Sequence, residues 1–271
     1  MHTLLCIRDF PYAVPTIEFG SQIIQALDSK VSLLTARRVN EDAAIGQQVL
    51  KQAAVALLSK PVSRIVRHGA PIDEILAEAS IDRYDLFIVG TRERLSIGDI
   101  FVGELAKRLA AQAKISVLVV RNPSERIKNI LVTDSAQYID DPAINLAGKI
   151  AQGTDAAVTM LHVSGELPAM YTGLKTMEET LSELMQSDTP IAANLRSHAE
   201  QLRALGVDAE IELRHGAPAE EILRAAERQT PDLIVVSGSK QHGLGLLLVD
   251  IPLELVSRAP CPVLIVHSGS S

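Results

Sequence analysis

Two histidines recur in one nine-residue frame, His68-Gly69-Ala70-Pro71-Ile72-Asp73-Glu74-Ile75-Leu76 and His215-Gly216-Ala217-Pro218-Ala219-Glu220-Glu221-Ile222-Leu223. Seven of the nine positions are identical, at an offset of 147 residues. An imidazole titrates near neutral pH, so each histidine could donate a proton or contact a ligand. Nucleophilic catalysis would also need a Ser or Cys for the base to activate, and neither histidine has an obvious one. A local hydrogen bond at a strand exit is the simpler role. His162 falls inside an apolar run and reads as structural.

Glycines and hydroxyls form the second chemical set, in Gly90-Thr91-Arg92-Glu93-Arg94 and Ser237-Gly238-Ser239-Lys240-Gln241-His242-Gly243. Glycine lets backbone N–H groups approach phosphates, and a hydroxyl beside a helix start adds a donor. No Gly-Lys-(Ser/Thr) follows either segment, and no Gly-x-Gly-x-x-Gly follows the first strand-like run. Neither a phosphate loop of that type nor a dinucleotide fingerprint is present. Asp9 and Asp134 each follow the first apolar run of a half. No spacing suits a metal site. Cys6 and Cys261 lack a partner spacing for metal or redox work and read as small buried hydrophobes.

Alternating short elements must position these residues. In the first half, Thr3–Arg8, Val31–Ala36, Ser63–Arg67, Leu86–Val89 and Val117–Val120 read as strands. Pro15–Leu27, Glu41–Leu58, the segment opening at Pro71 and Val102–Gln112 read as helices between them. Pro71 suits a first helical turn, and Asp73 and Glu74 complement its dipole. Arg121–Lys128 reads as a polar linker, after which the pattern restarts at Asn129–Asp134. In both halves an Asp-Leu pair, Asp85-Leu86 and Asp232-Leu233, stands 17 residues beyond the histidine and opens an apolar run. The second half inserts Ser164–Ile191, with a helical piece at Leu174–Met185. A lid, a dimer contact or a tolerated surface loop would each account for it, the last most simply.

Such alternation specifies a parallel sheet with helices on both faces. A repeat near 147 residues is a duplicated domain, since each copy can bury its own core. The expected division is 1–123 and 124–271. In an open parallel sheet, ligands bind beyond the carboxyl ends of the strands at the switch in strand order. The exits that matter are therefore Asp9 and Asp134 after strand one, Ala36 and Val163 after strand two, His68 and His215 after strand three, and the glycine segments after strand four.

These features together resemble the tandem, two-domain form of the universal stress protein family. The matching residues are the Asp after strand one, the Gly-x-Pro-x-x-x-Ile-Leu segment, the Asp-Leu apolar run before a glycine-containing loop, and Ala259-Pro-Cys-Pro-Val-Leu-Ile-Val266. The resemblance implies two Rossmann-like domains of the adenine nucleotide alpha hydrolase type, each a five-stranded parallel sheet. It also implies an internal pseudo-dimer made by pairing the last strands. Some members bind ATP through Gly-x2-Gly-x9-Gly-(Ser/Thr). By resemblance, Asp9 and Asp134 would contact the nucleoside, backbone at Ala36 and Val163 the adenine, and Gly90, Gly103 and Gly238 the phosphates. This chain departs from that loop. Glu93 and Glu104 replace the second glycine and the hydroxyl residue in the first half. Ser237, Lys240 and Asp250-Ile251 stand at the corresponding places in the second. A like-charge pair 4 Å apart costs roughly 4 kcal/mol even at an effective dielectric of 20. Arg92 and Arg94 could offset the carboxylates. The expectation is a binding or adaptor protein with degraded nucleotide loops and no cofactor. The runner-up is weak ATP binding, or an ATPase or nucleotide sensor, at Asp9, Ala36, Gly90 and Gly103 of the first half alone.

Composition narrows the partners. The 271 residues are 47% hydrophobic but only 3% aromatic, without Trp. Net charge is −7, made of +2 over residues 1–124 and −9 over 125–271. An acidic chain argues against nucleic acid, whose phosphates need clustered Lys and Arg. No apolar run is long enough for a membrane helix and no secretory leader is evident, so a cytoplasmic location is expected. The expected partner is a small molecule or another protein of unknown identity, and a homodimer beyond the internal one is left open.

Overall fold

A computed structural model describes residues 1–57, 61–81, 84–91, 108, 115–136, 139–165, 180–238 and 251–267. The first half runs β1 (His2–Cys6), α1 (Val14–Ala26), β2 (Lys30–Arg37), α2 (Ala43–Ala56), β3 (Ser63–His68), α3 (Pro71–Ala79), β4 (Leu86–Gly90) and β5 (Ser116–Val120). The second runs β6 (Asn129–Asp134), α4 (Pro142–Thr154), β7 (Ala157–Ser164), α5 (Leu181–Gln186), α6 (Pro190–Ala204), β8 (Ala209–His215), α7 (Pro218–Gln229), β9 (Leu233–Ser237), α8 (Ile251–Arg258) and β10 (Val263–Val266). The helix expected over Val102–Gln112 lies outside the described residues except for Arg108, as does most of the inserted segment before Thr180.

Side-chain chemistry sets the helix starts. Asp42 caps α2 by accepting from the Ala44 N–H, so this helix begins later than its apolar periodicity alone suggests. Asp141 caps α4 in the same way through Ala143, with Pro142 in the first turn. In the insertion, Thr180 and Glu183 form a capping box that starts α5.

All ten strands join one sheet in the order β3-β2-β1-β4-β5-β10-β9-β6-β7-β8. Pairing is parallel within each half. At the centre β10 runs antiparallel to β5, with Leu264 opposite Leu118. The last strands thus close each other's edges, as the resemblance implies, and no edge is left exposed at the join. The antiparallel join also puts the strand exits of the two halves at opposite ends of the sheet.

Both faces of the sheet are covered, so its central strands β4, β5, β9 and β10 are largely apolar, whereas the edge strands β3 and β8 are less buried and carry charged residues. Alternate residues feed two layers. Leu5, Leu33, Ile88, Leu118, Val132, Val235 and Leu264 pack under α1, α2, α4 and α6. Leu4, Leu34, Phe87, Val117, Leu131, Ile234 and Ile265 pack under α3, α7 and α8. Each layer is continuous across the halves. Helices α1 and α4 meet across that boundary, where a Cβ at Gly153 would lie 2.6 Å from the Ala26 Cα. The linker is docked rather than free. Arg121 donates to the Ser257 carbonyl at 2.9 Å, and Gln22 of α1 bonds Ile127 N and Glu125 O at 3.1 Å each.

Candidate functional site

Strand order reverses between β1 and β4 in the first half and between β6 and β9 in the second. The crevice beyond the carboxyl ends of such a pair is where a parallel sheet offers a ligand its backbone and side chains. Each half therefore presents one candidate crevice.

In the first, Asp9 follows β1 and faces two guanidinium groups. Arg37, the last residue of β2, donates from Nη1 to Asp9 Oδ1 at 3.2 Å and from Nη2 to the Arg8 carbonyl. Glu41 Oε2 lies 3.7 Å from the same Nη1, and Arg8 Nε lies 3.5 Å from Asp9 Oδ2. The Arg37 side chain is 9% exposed and that of Asp9 35%. Arg37 Nε is buried without an acceptor among the described residues. Ala36 is buried within the ladder, in register with Arg67. The strand thus ends one residue later than its sequence suggests, because Gly69 N–H extends the ladder to the Arg37 carbonyl at 2.9 Å.

The second crevice is tighter. His198 of α6 places Nδ1 2.7 Å from Asp134 Oδ2, and both side chains are 0% exposed. Asp134 Oδ1 accepts from the Ala136 N–H at 2.5 Å. The Ala136 carbonyl accepts from Asn194 at 2.7 Å. The Ile139 carbonyl accepts from His198 Nε2 at 3.0 Å and from Gln201 at 2.9 Å. Asn194, His198 and Gln201 stand at helical spacings of four and three, so one face of α6 grips the whole β6 exit. His162, opposite Asp134 in register, sends Nδ1 to the Asp134 carbonyl at 2.9 Å, which fits its structural reading. Val163 pairs with Arg214 inside the ladder, and β7 likewise runs on to Ser164.

The strand-four exits differ in size. At Gly90 a Cβ would overlap Thr16 Oγ1 of α1, so glycine is needed for close packing there. Its counterpart Ser237 instead donates its hydroxyl to Asp141 Oδ1 at 2.7 Å, tying β9 to the cap of α4. At Gly238 a Cβ would lie 2.6 Å from the His267 ring, and Gly238 N–H donates to the Val266 carbonyl at 2.7 Å. Gly103, Arg92, Glu93, Arg94, Glu104, Lys240 and Asp250 lie outside the described residues. His68 is exposed and His215 half-buried, facing Arg37 and Ser164 respectively in the ladders.

Several repeated residues do structural work. Asp85 accepts from the His2 N–H at 2.6 Å, and Asp232 from Lys128 and Asn129 at 2.8 and 2.9 Å. Each Asp-Leu pair therefore pins the start of the strand next to it. Arg67 and its counterpart Arg214 bond a carboxylate on the following helix in both halves, but one turn apart. Arg67 Nε reaches Glu78 at 2.9 Å, and Arg214 Nη1 reaches Glu221, the counterpart of Glu74, at 3.0 Å. Cys6 and Cys261 are buried free thiols, and burial pushes each up to about 12, with Asp232 adding to the effect at Cys261. Among the described residues no group of three His, Cys, Asp or Glu side chains could hold a metal ion. No helix there is long and apolar enough to cross a membrane.

Two participants were missed from sequence: Arg37 and His198. Arg37 sits directly after the expected strand end. The signal for His198 was the polar series Asn194, His198, Gln201 on a helix that also carries Leu195 and Leu202.

The family model for universal stress proteins matches residues 4–121 and again 126–267. A universal stress protein of Methanocaldococcus jannaschii is 29% identical over 159 residues, spanning 58% of this chain and 92% of its own. A solved universal stress protein from Archaeoglobus fulgidus superposes with TM-score 0.69 at 17% identity, covering 99% of this chain and 96% of its own. The cytoplasmic domain of a prokaryotic cation chloride cotransporter shares the fold, with TM-score 0.59 at 13% identity over 100% of this chain and 96% of its own. Fold alone does not fix function across such a set. The two successive family matches, on two copies of one α/β unit, show that this chain belongs to the universal stress protein family.

Proposed function

We propose that the chain is a stress-response binding or adaptor protein that acts by holding a small ligand or a protein partner, without turnover, and that its two nucleotide loops are degraded. The observation that carries this reading is the engagement of both strand-one aspartates by the protein's own basic side chains. Asp134 is sealed against His198 with no exposed surface. Asp9 is held by the buried Arg37 guanidinium. A nucleoside reaching either carboxylate would have to displace a charge-assisted hydrogen bond, and those are about twice as strong as neutral ones. Glu93 and Glu104 replace one glycine and the hydroxyl residue of the first loop, and Ser237, Lys240 and Asp250-Ile251 replace all three glycines and the hydroxyl residue of the second. His68 and His215 have no obvious Ser or Cys beside them in the sequence to activate, which supports binding over chemistry.

A second reading keeps weak ATP binding, or ATPase or sensor activity, in the first half only. It draws on the partial exposure of Asp9, 35% at the side chain, against none at Asp134. Mass spectrometry of small molecules released by denaturing freshly purified protein separates the two. The binding reading expects no adenine nucleotide in the extract. Close to one equivalent of ATP per chain would overturn it and favour the first-half site.

A further inference from the structure

We draw no further inference here: the strongest candidate, the buried Arg37 guanidinium at the β2 exit, whose Nε has no acceptor among the described residues, belongs to the first crevice already described, and that atom has no open surface on which a ligand oxygen could rest.

Discussion

Nδ1 of His198 lies 2.7 Å from Oδ2 of Asp134, and neither side chain has any surface open to solvent. Asp9, at the same place in the first half, meets Arg37 at 3.2 Å and keeps a third of its side-chain surface. Two copies of one fold have thus satisfied the same carboxylate by different routes, one from the following strand and one from a helix on the covering layer. The halves are asymmetric where their topology is symmetric.

Removing the helix-borne partner should be severe. His198→Ala leaves Asp134 buried and unpaired, and truncating one member of a buried pair costs about 3–5 kcal/mol. Asn194→Ala on the same face strands the Ala136 carbonyl and should cost about 1–3 kcal/mol. Urea unfolding followed by circular dichroism measures both. A loss at His198 below that at Asn194 would contradict the ranking.

Gly90 and Thr16 should behave as a coupled pair. Gly90→Ala drives a methyl into the Thr16 hydroxyl, and overpacking of that kind costs about 1–3 kcal/mol. Thr16→Ala removes the obstruction, so the double variant should recover part of the loss. A thermodynamic cycle reads the coupling, and simple additivity would show that the close approach carries no energy.

The repeated Asp-Leu pairs should differ in proportion to the N–H groups they hold. Asp85→Ala frees one and Asp232→Ala frees two. At about 0.5–1.5 kcal/mol each, the second substitution should cost about twice the first. Equal losses in chemical denaturation would contradict the strand-pinning role.

Both cysteines should be inert while the chain is folded. With each thiol pushed up to about 12 by burial, native protein at pH 8 should not react with a disulfide reagent, and both should react in urea. The folded values lie above the ordinary ~8.5, so the unfolded chain gives up these protons first. The stability they contribute is complete below ~8.5 and declines as pH rises beyond it. Labelling of native protein at pH 8 would refute the burial.

Much of the scaffold was legible because parallel sheets write themselves as short apolar runs between amphipathic ones. The repeat of His68 to Leu76 as His215 to Leu223 exposed the duplication. The functional meaning of that repeat was less legible. The Asp-Leu pairs and the arginines before the histidines proved to be strand pins and helix ties. Pairings between distant residues, such as His198 with Asp134 or Gly90 with Thr16, leave no local periodicity. Arg37 escaped notice because an arginine at a strand end ordinarily faces solvent, and its burial depends on Asp9, Glu41 and the Arg8 carbonyl converging on it.

Calorimetric titration of the purified chain with ATP and Mg2+ asks whether either strand-one crevice takes a nucleotide. If the protein's own Arg37 and His198 occupy the strand-one aspartates, no saturable heat should appear at micromolar to millimolar nucleotide. Saturable binding near one ATP per chain, abolished by a bulky residue at Gly103, would contradict it and place a nucleotide in the first crevice.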